Sequence, residues 1–240
     1  MRLVVCNSYE EMCREAAKIV VAQVNLKPNC VLGLPTGSTP VGMYKRLAEL
    51  NKAGEVDFKD VTTFNLDEYY PIDPKNDQSY RYFMNKNLFE NINIPMESTH
   101  VLNGSAPDAD AECDNYEAMI EAAGGIDLQV LGIGQNGHIG FNEPDSFLYS
   151  RTHRTGLTEN TIQANSRFFE SAADVPKESL TMGIGTIIKA KKIILLANGK
   201  AKHKVLRELL EGEITTSNPA TMLKVHADVT VFCDKEAYEG

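Results

Sequence analysis

Paired cysteines are missing from this sequence. Its five cysteines, Cys6, Cys13, Cys30, Cys113 and Cys233, are odd in number and scattered, and no two form a C-x-x-C. That pattern argues against a disulfide framework or a thiolate metal site and fits a reducing compartment. Long apolar runs are missing as well. The first, Leu3 to Cys6, stops at Asn7, Ser8 and Tyr9, well short of a signal-peptide core. Nothing later approaches the roughly 18 consecutive apolar residues of a membrane span. A cytoplasmic protein with no membrane partner is expected. Positive charge is scarce: Lys and Arg total 24 against 33 Asp and Glu, a formal charge of -9. Such a surface repels polyanions, so no nucleic-acid partner is expected, while a local basic pocket for a small phosphate stays open. The histidines, His100, His138, His153, His203 and His226, show no H-x-x-x-H or comparable ligand spacing, so no metal site is expected.

What is present is a chain of 240 residues, 42% apolar and 24% charged, without repeats or low-complexity tracts, which suits one large domain spanning 1–240. Short β-branched or Leu-rich runs alternate with longer helical patterns. The runs are Leu3 to Cys6, Val31 to Leu34, Thr62 to Leu66, His100 to Leu102, Leu128 to Ile133, Ile193 to Ala197 and Val229 to Cys233. Helices are expected at Tyr9 to Asn25, Val41 to Asn51, Tyr80 to Glu90, Ala109 to Ala123, Glu178 to Lys189, Ala201 to Glu211 and Ala220 to Leu223. The alternation predicts an α/β fold with a mainly parallel sheet covered by helices on both faces. The stretch from Gly134 to Thr161 reads as a functional loop, too polar and Gly-rich for core. Open α/β sheets bind ligands beyond the C-terminal ends of their strands, so chemistry is sought just after Leu34, Leu66, Ile133 and Ala197.

After Leu34 comes Pro35-Thr36-Gly37-Ser38-Thr39-Pro40 and then a helix. Gly37 lets the backbone approach an anion, Ser38 and Thr39 add hydroxyls and N–H donors, and the helix dipole favours negative charge. The loop lacks the Lys-Ser/Thr ending of a nucleoside-triphosphate loop, so a monophosphate fits better. After Leu66 come Asp67 and Glu68. A carboxylate there, screened by Tyr69 or Tyr70, could serve as a general base; taken alone, the pair reads rather as a turn-capping acid at the start of Pro71-Ile72-Asp73-Pro74. The run from Gly132 to Gly137 spells G-x-G-x-x-G, but Gly140 and Pro144 break any following helix and no acidic residue stands about 20 positions on, so a dinucleotide site is rejected. A tight loop remains, presenting His138 with Glu143 five residues away and Asn136 and Asn142 flanking. A histidine oriented by a carboxylate can shuttle protons near neutral pH; a structural histidine is the alternative. Arg167 and Lys202 are natural partners for a phosphate monoester, though each alone reads as a surface charge.

The segments LPTGSTP, NLDEY, GIGQNGHIGFNEP, SRT and ANSRFF, in this order, resemble the glucosamine-6-phosphate deaminase family, and the resemblance runs on to VFCDKEA near the end. It implies a Rossmann-like parallel α/β sheet and conversion of D-glucosamine 6-phosphate and water into D-fructose 6-phosphate and ammonia, without an organic cofactor. By the same resemblance Asp67 moves a proton between C2 and C1, His138 opens the pyranose ring, and Glu143 orients its imidazole. Arg167, Lys202 and the Gly37, Ser38 and Thr39 segment take the phosphate, with Gly132 among the substrate contacts. Members of the family carry an aspartate where this chain has Asn136, so Glu143 alone supplies charge beside His138, with Asn136 as a hydrogen-bonding support. Allosteric members use basic side chains after SRT and a longer tail; here His153, Arg154 and Thr155 follow and the chain ends at Gly240. No activation by N-acetylglucosamine 6-phosphate and a monomer or small homo-oligomer are therefore expected. The alternatives are a 6-phosphogluconolactonase-like hydrolase, similar in fold and phosphate loop, and a sugar-phosphate-sensing domain, which an acidic chain opening directly on a strand disfavours.

Overall fold

A computed structural model describes residues 1–157 and 175–240. Seven strands form one parallel sheet: β1 (Arg2–Cys6), β2 (Val31–Leu34), β3 (Thr62–Asn65), β5 (Thr99–His100), β6 (Leu128–Gly132), β9 (Lys192–Ala197) and β10 (Val229–Asp234). Their order is β1-β10-β9-β6-β2-β3-β5. The inner strands are buried on both faces, while the edge strand β1 leaves Leu3 and Val5 exposed, and the two-residue period of a strand sorts its side chains between the faces. In β9, Ile194 and Leu196 enter one core while Ile193 and Leu195 enter the other. The first core is covered by α1 (Tyr9–Leu26), α2 (Val41–Lys52) and α3 (Tyr80–Asn87), the second by α4 (Ala109–Ala122), α5 (Ile184–Ile188), α6 (His203–Glu211) and α7 (Lys235–Glu239). Local chemistry starts these helices: Ser8 caps α1 by accepting from the Glu11 N–H, and Asp108 caps α4 by accepting from Asp110 and Ala111. No helix among the described residues is long and apolar enough to cross a membrane.

The chain leaves β2 toward β3 on one side and leaves β6 toward β9 on the other, so the direction of winding reverses between β2 and β6. These neighbours pair only at Leu32↔Leu128 and Gly33↔Gln129, whereas β6 and β9 pair at five positions. Gly33 leaves the space there that the buried Gln129 side chain fills, since a Cβ on it would lie 2.0 Å from Gln129 Oε1. The parted strand ends beyond this seam are where open α/β sheets place their ligands.

A second, antiparallel sheet departs from the expectations. Its strands are β4 (Asp67–Tyr70), β7 (His153–Gly156) and β8 (Glu178–Thr181), in the order β4-β8-β7. The expected strand Thr62 to Leu66 thus ends at Asn65, and Asp67 opens a new strand. The expected helix Glu178 to Lys189 is β8 followed by α5, since Gly183 separates them and β8 finds partners in both β4 and β7. The stretch read as loop from Gly134 to Thr161 contains β7. Smaller corrections concern ends. The strand expected at His100 to Leu102 is Thr99–His100, and α3 stops at Asn87 before a 3-10 turn at Phe89–Asn91. Lys202 belongs to a 3-10 turn, Lys200–Lys202, ahead of α6, and Ala220 to Leu223 lie within another, Pro219–Val225.

Candidate active site

The loops after β2, β3, β6 and β9, four adjacent strands, converge at one edge of the sheet. The first, Pro35 to Pro40, turns at Gly37, whose φ of +95° lies in the left-handed region that favours glycine. The buried Tyr44 hydroxyl donates to the Pro35 carbonyl at 2.5 Å. The Thr39 hydroxyl donates to Asn198 Oδ1 at 2.7 Å, joining this loop to the one after β9. Beyond Asn198, the Gly199 N–H is held by the Asp234 carboxylate at 3.0 and 3.1 Å, and the turn delivers Lys202. Partial burial lowers the Lys202 ammonium pKa, which is the response of a cation drawn away from water.

Asp67, 6% exposed, begins β4 just past the end of β3. Its Oδ1 is buried without a hydrogen-bond partner. Burial, reinforced by the neighbouring Glu68, pushes its carboxyl up to about 8. Glu68 faces elsewhere. It accepts backbone N–H groups from Tyr69 at 2.9 Å, Tyr80 at 2.8 Å and Arg81 at 2.9 Å, and so serves the start of α3. Burial raises the Glu68 carboxyl to about 7, opposed by those three donors. The adjacent carboxylates thus divide into a capping acid and an unpartnered one. Tyr69, Tyr80 and Phe141 pack together beside them, with ring centroids 4.8 to 6.0 Å apart.

After β6 the chain turns back on itself, Gly134 N–H donating to the His138 carbonyl at 2.9 Å. His138 Nδ1 lies 3.4 Å from Glu143 Oε1, the two side chains 31% and 11% exposed. Asn136 serves both: its Nδ2 donates to Glu143 Oε2 at 2.6 Å, and its Oδ1 accepts the His138 N–H at 3.2 Å. Two residues beyond the histidine, Gly140 has φ +60°, and a Cβ there would lie 3.2 Å from Asp67 Oδ2 and 2.9 Å from Thr181 Oγ1. The Phe141 N–H donates to Thr181 Oγ1 at 3.1 Å, and Asn142 Nδ2 donates to the Ile139 and Met182 carbonyls, each at 2.8 Å. Since Thr181 pairs with Asp67 across β8 and β4, the same short strand holds both the carboxylate and the histidine loop.

The structure therefore places Asp67 past the end of β3 and Asn136, His138 and Glu143 past the end of β6, on either side of β2, with Gly37, Ser38, Thr39 and Lys202 on the loops after β2 and β9 and Gly132 at the end of β6, where a Cβ would meet no other atom within 4 Å. Arg167 lies outside the described residues. Thr181 was not expected, because it fell inside a segment read as helix. A cavity of ≈ 590 Å³ opens on the far side of Gln135 and Asn136, toward α6, and does not include Asp67 or His138; the convergence of side chains, not that volume, marks the site. Among the described residues no group of three or more His, Cys, Asp or Glu is placed to hold a metal ion. A buried carboxylate with a raised pKa and an imidazole whose Nδ1 faces a carboxylate at 3.4 Å, carried on loops at the same end of the sheet, are groups that can move protons at a ligand's atoms.

Residues 7–232 match the family described as glucosamine-6-phosphate isomerases/6-phosphogluconolactonase. The chain is 56% identical over 237 residues to a glucosamine-6-phosphate deaminase of Thermoanaerobacter pseudethanolicus, covering 99% of this chain and 94% of that protein. It is 54% identical over 237 residues to a glucosamine-6-phosphate deaminase of Clostridioides difficile, covering 99% and 95%. A solved structure described as a monomeric glucosamine-6-phosphate deaminase superposes with a TM-score of 0.96 at 46% identity, over 99% of this chain and 98% of the other. A 6-phosphogluconolactonase of Trypanosoma cruzi, at 21% identity and a TM-score of 0.78 over 100% and 96% of the two chains, is similar in fold alone. By the family match and these identities, the chain belongs to the glucosamine-6-phosphate isomerase/6-phosphogluconolactonase family.

Proposed function

We propose that this chain is a glucosamine-6-phosphate deaminase, which converts D-glucosamine 6-phosphate and water into D-fructose 6-phosphate and ammonia. In the ring form C2–H is a very weak acid. His138, oriented by Glu143 and Asn136, opens the pyranose by moving a proton to the ring oxygen, and C1 becomes an aldehyde. The C2 proton is then acidified by the carbonyl, and Asp67 removes it to give the enolamine. Returning that proton to C1 yields an iminium at C2. Water adds there and ammonia leaves, so carbon, nitrogen and charge balance without an external redox partner. The Gly37, Ser38 and Thr39 backbone, Lys202 and Arg167 bind the 6-phosphate. The carrying observation is the unpartnered, buried Asp67 carboxyl held against the loop that presents His138.

Asp67→Asn is the direct test. It should abolish ammonia release and exchange of the C2 hydrogen with deuterated solvent while leaving substrate binding within a few-fold. Exchange that survives the substitution removes Asp67 from the role of base. Lactone hydrolysis is the second reading, resting on the shared fold. It needs a water nucleophile rather than proton transfer at carbon, and hydrolysis of 6-phosphogluconolactone without ammonia release would establish it instead. The ligand class, a small sugar phosphate, is common to both. A monomer is proposed for this chain, as described for the relative at 46% identity.

A further inference from the structure

We propose that Tyr9 is a positioning residue for the substrate phosphate: from α1, outside the loop itself, its hydroxyl sets the backbone of the Gly37 to Thr39 cradle so that N–H groups, not carbonyls, face the anion. This rests on reading that loop as the phosphate site of the deaminase. A phenol offers one proton and can also accept. The Tyr9 hydroxyl accepts the Gly42 N–H at 2.9 Å and lies 3.1 Å from the Thr39 carbonyl and 3.2 Å from the Ser38 carbonyl, to either of which it can donate. On the other side of the loop Tyr44 takes the Pro35 carbonyl. Two tyrosine hydroxyls from outside the loop thus hold its carbonyls inward. No acceptor among the described residues takes the backbone N–H of Gly37, Ser38 or Thr39, which leaves three successive donors for a ligand.

Gly42 supports the assignment. It stands in the first turn of α2, a place where glycine is unfavourable because of its backbone freedom. A Cβ on it would lie 2.7 Å from Cys13 Sγ and 3.0 Å from both Tyr9 Cε1 and the Tyr9 hydroxyl oxygen. The missing side chain is the space that Cys13 and Tyr9 share. Burial raises the Tyr9 phenol to about 12, so it keeps its proton throughout the range in which the enzyme can be assayed.

Tyr9→Phe keeps the ring and removes the hydroxyl. Ammonia release from glucosamine 6-phosphate should show KM raised about five- to tenfold, the loss of about one hydrogen bond, with kcat within twofold. Inorganic phosphate, titrated calorimetrically and tested as a competitive inhibitor, should weaken by the same factor. Gly42→Ala, which displaces the hydroxyl and leaves it intact, should act in the same direction. Unchanged KM and phosphate affinity in Tyr9→Phe, with only a lower melting temperature, overturn the proposal. So does a fall in kcat at constant KM. If the unsubstituted protein binds phosphate but releases no ammonia, the deaminase reading fails, and the phosphate titration of the two variants still decides the role of Tyr9. Absence of phosphate binding by the unsubstituted protein rejects the cradle itself.

Discussion

Asp67 is protonated more readily in the folded chain than in the unfolded one, because folding strips its carboxyl of water and sets Glu68 beside it. With a folded value of about 8 against the ordinary 3.8, its contribution to stability is fully present below the unfolded pKa and is lost as pH rises through about 8. Asp67→Asn carries no charge to bury. Its melting temperature should match that of the parent enzyme near pH 4 and exceed it by several degrees at pH 9, the gap opening between those limits. Melting curves across that range check this, and a constant gap contradicts it. If Asp67 is the base proposed above, it must be ionised to act, so kcat/KM should rise with pH through an apparent pKa near 8. Glycine density and spacing singled out the loop with Asn136, His138 and Glu143, and the loop after Leu34, but left a structural histidine open beside a proton shuttle; the roles proposed for them came from the resemblance. Tyr9 was not legible, because its partner Gly42 is 33 residues away and neither residue type advertises the contact.

At the scale of elements, the parallel sheet was legible because its central strands β2, β6, β9 and β10 are mostly apolar runs buried on both faces. The antiparallel sheet was not. Its strands are DEYY, HRTG and ESLT, four residues each, with too little apolar pattern to stand apart from a loop. In the segment Glu178 to Lys189 the residues Leu180, Ile184, Ile187 and Ile188 fall at helical spacing, and long-range pairing with β4 overrides it. That misreading hid Thr181. Thr181→Val, matched in shape, leaves the Phe141 N–H without its acceptor, which costs about 1–3 kcal/mol. It also loosens the histidine loop from the strand paired with Asp67. Urea unfolding should register the destabilisation, and kcat should fall tenfold or more with KM little changed, since misplacement of reacting groups acts on the chemical step. Full kcat in a destabilised variant assigns Thr181 to stability alone.

For the whole molecule, the formal charge of -9 sets the loops proposed to bind phosphate against an acidic background, so on that proposal selective recognition of a small anion depends on local N–H groups and on Lys202 rather than on the overall field. If the chain acts as a monomer, rate against glucosamine 6-phosphate should be hyperbolic and indifferent to N-acetylglucosamine 6-phosphate. Light scattering should return a single species near 26.5 kDa. A sigmoidal curve straightened by that compound, or a stable larger assembly, contradicts the proposal.

The short seam between β2 and β6 carries one more meaning. Beyond Gly33 and Gln129 the sheet forks. Asp67 grows from the bank that β2 shares with β3, and His138 from the bank that β6 shares with β9. The Thr39–Asn198 and Phe141–Thr181 hydrogen bonds are ties thrown across the gap. The span between the carboxylate and the imidazole proposed to act on carbon and on oxygen is therefore an architectural dimension, belonging to a fork at whose vertex the absent Cβ of residue 33 leaves room for the Gln129 side chain.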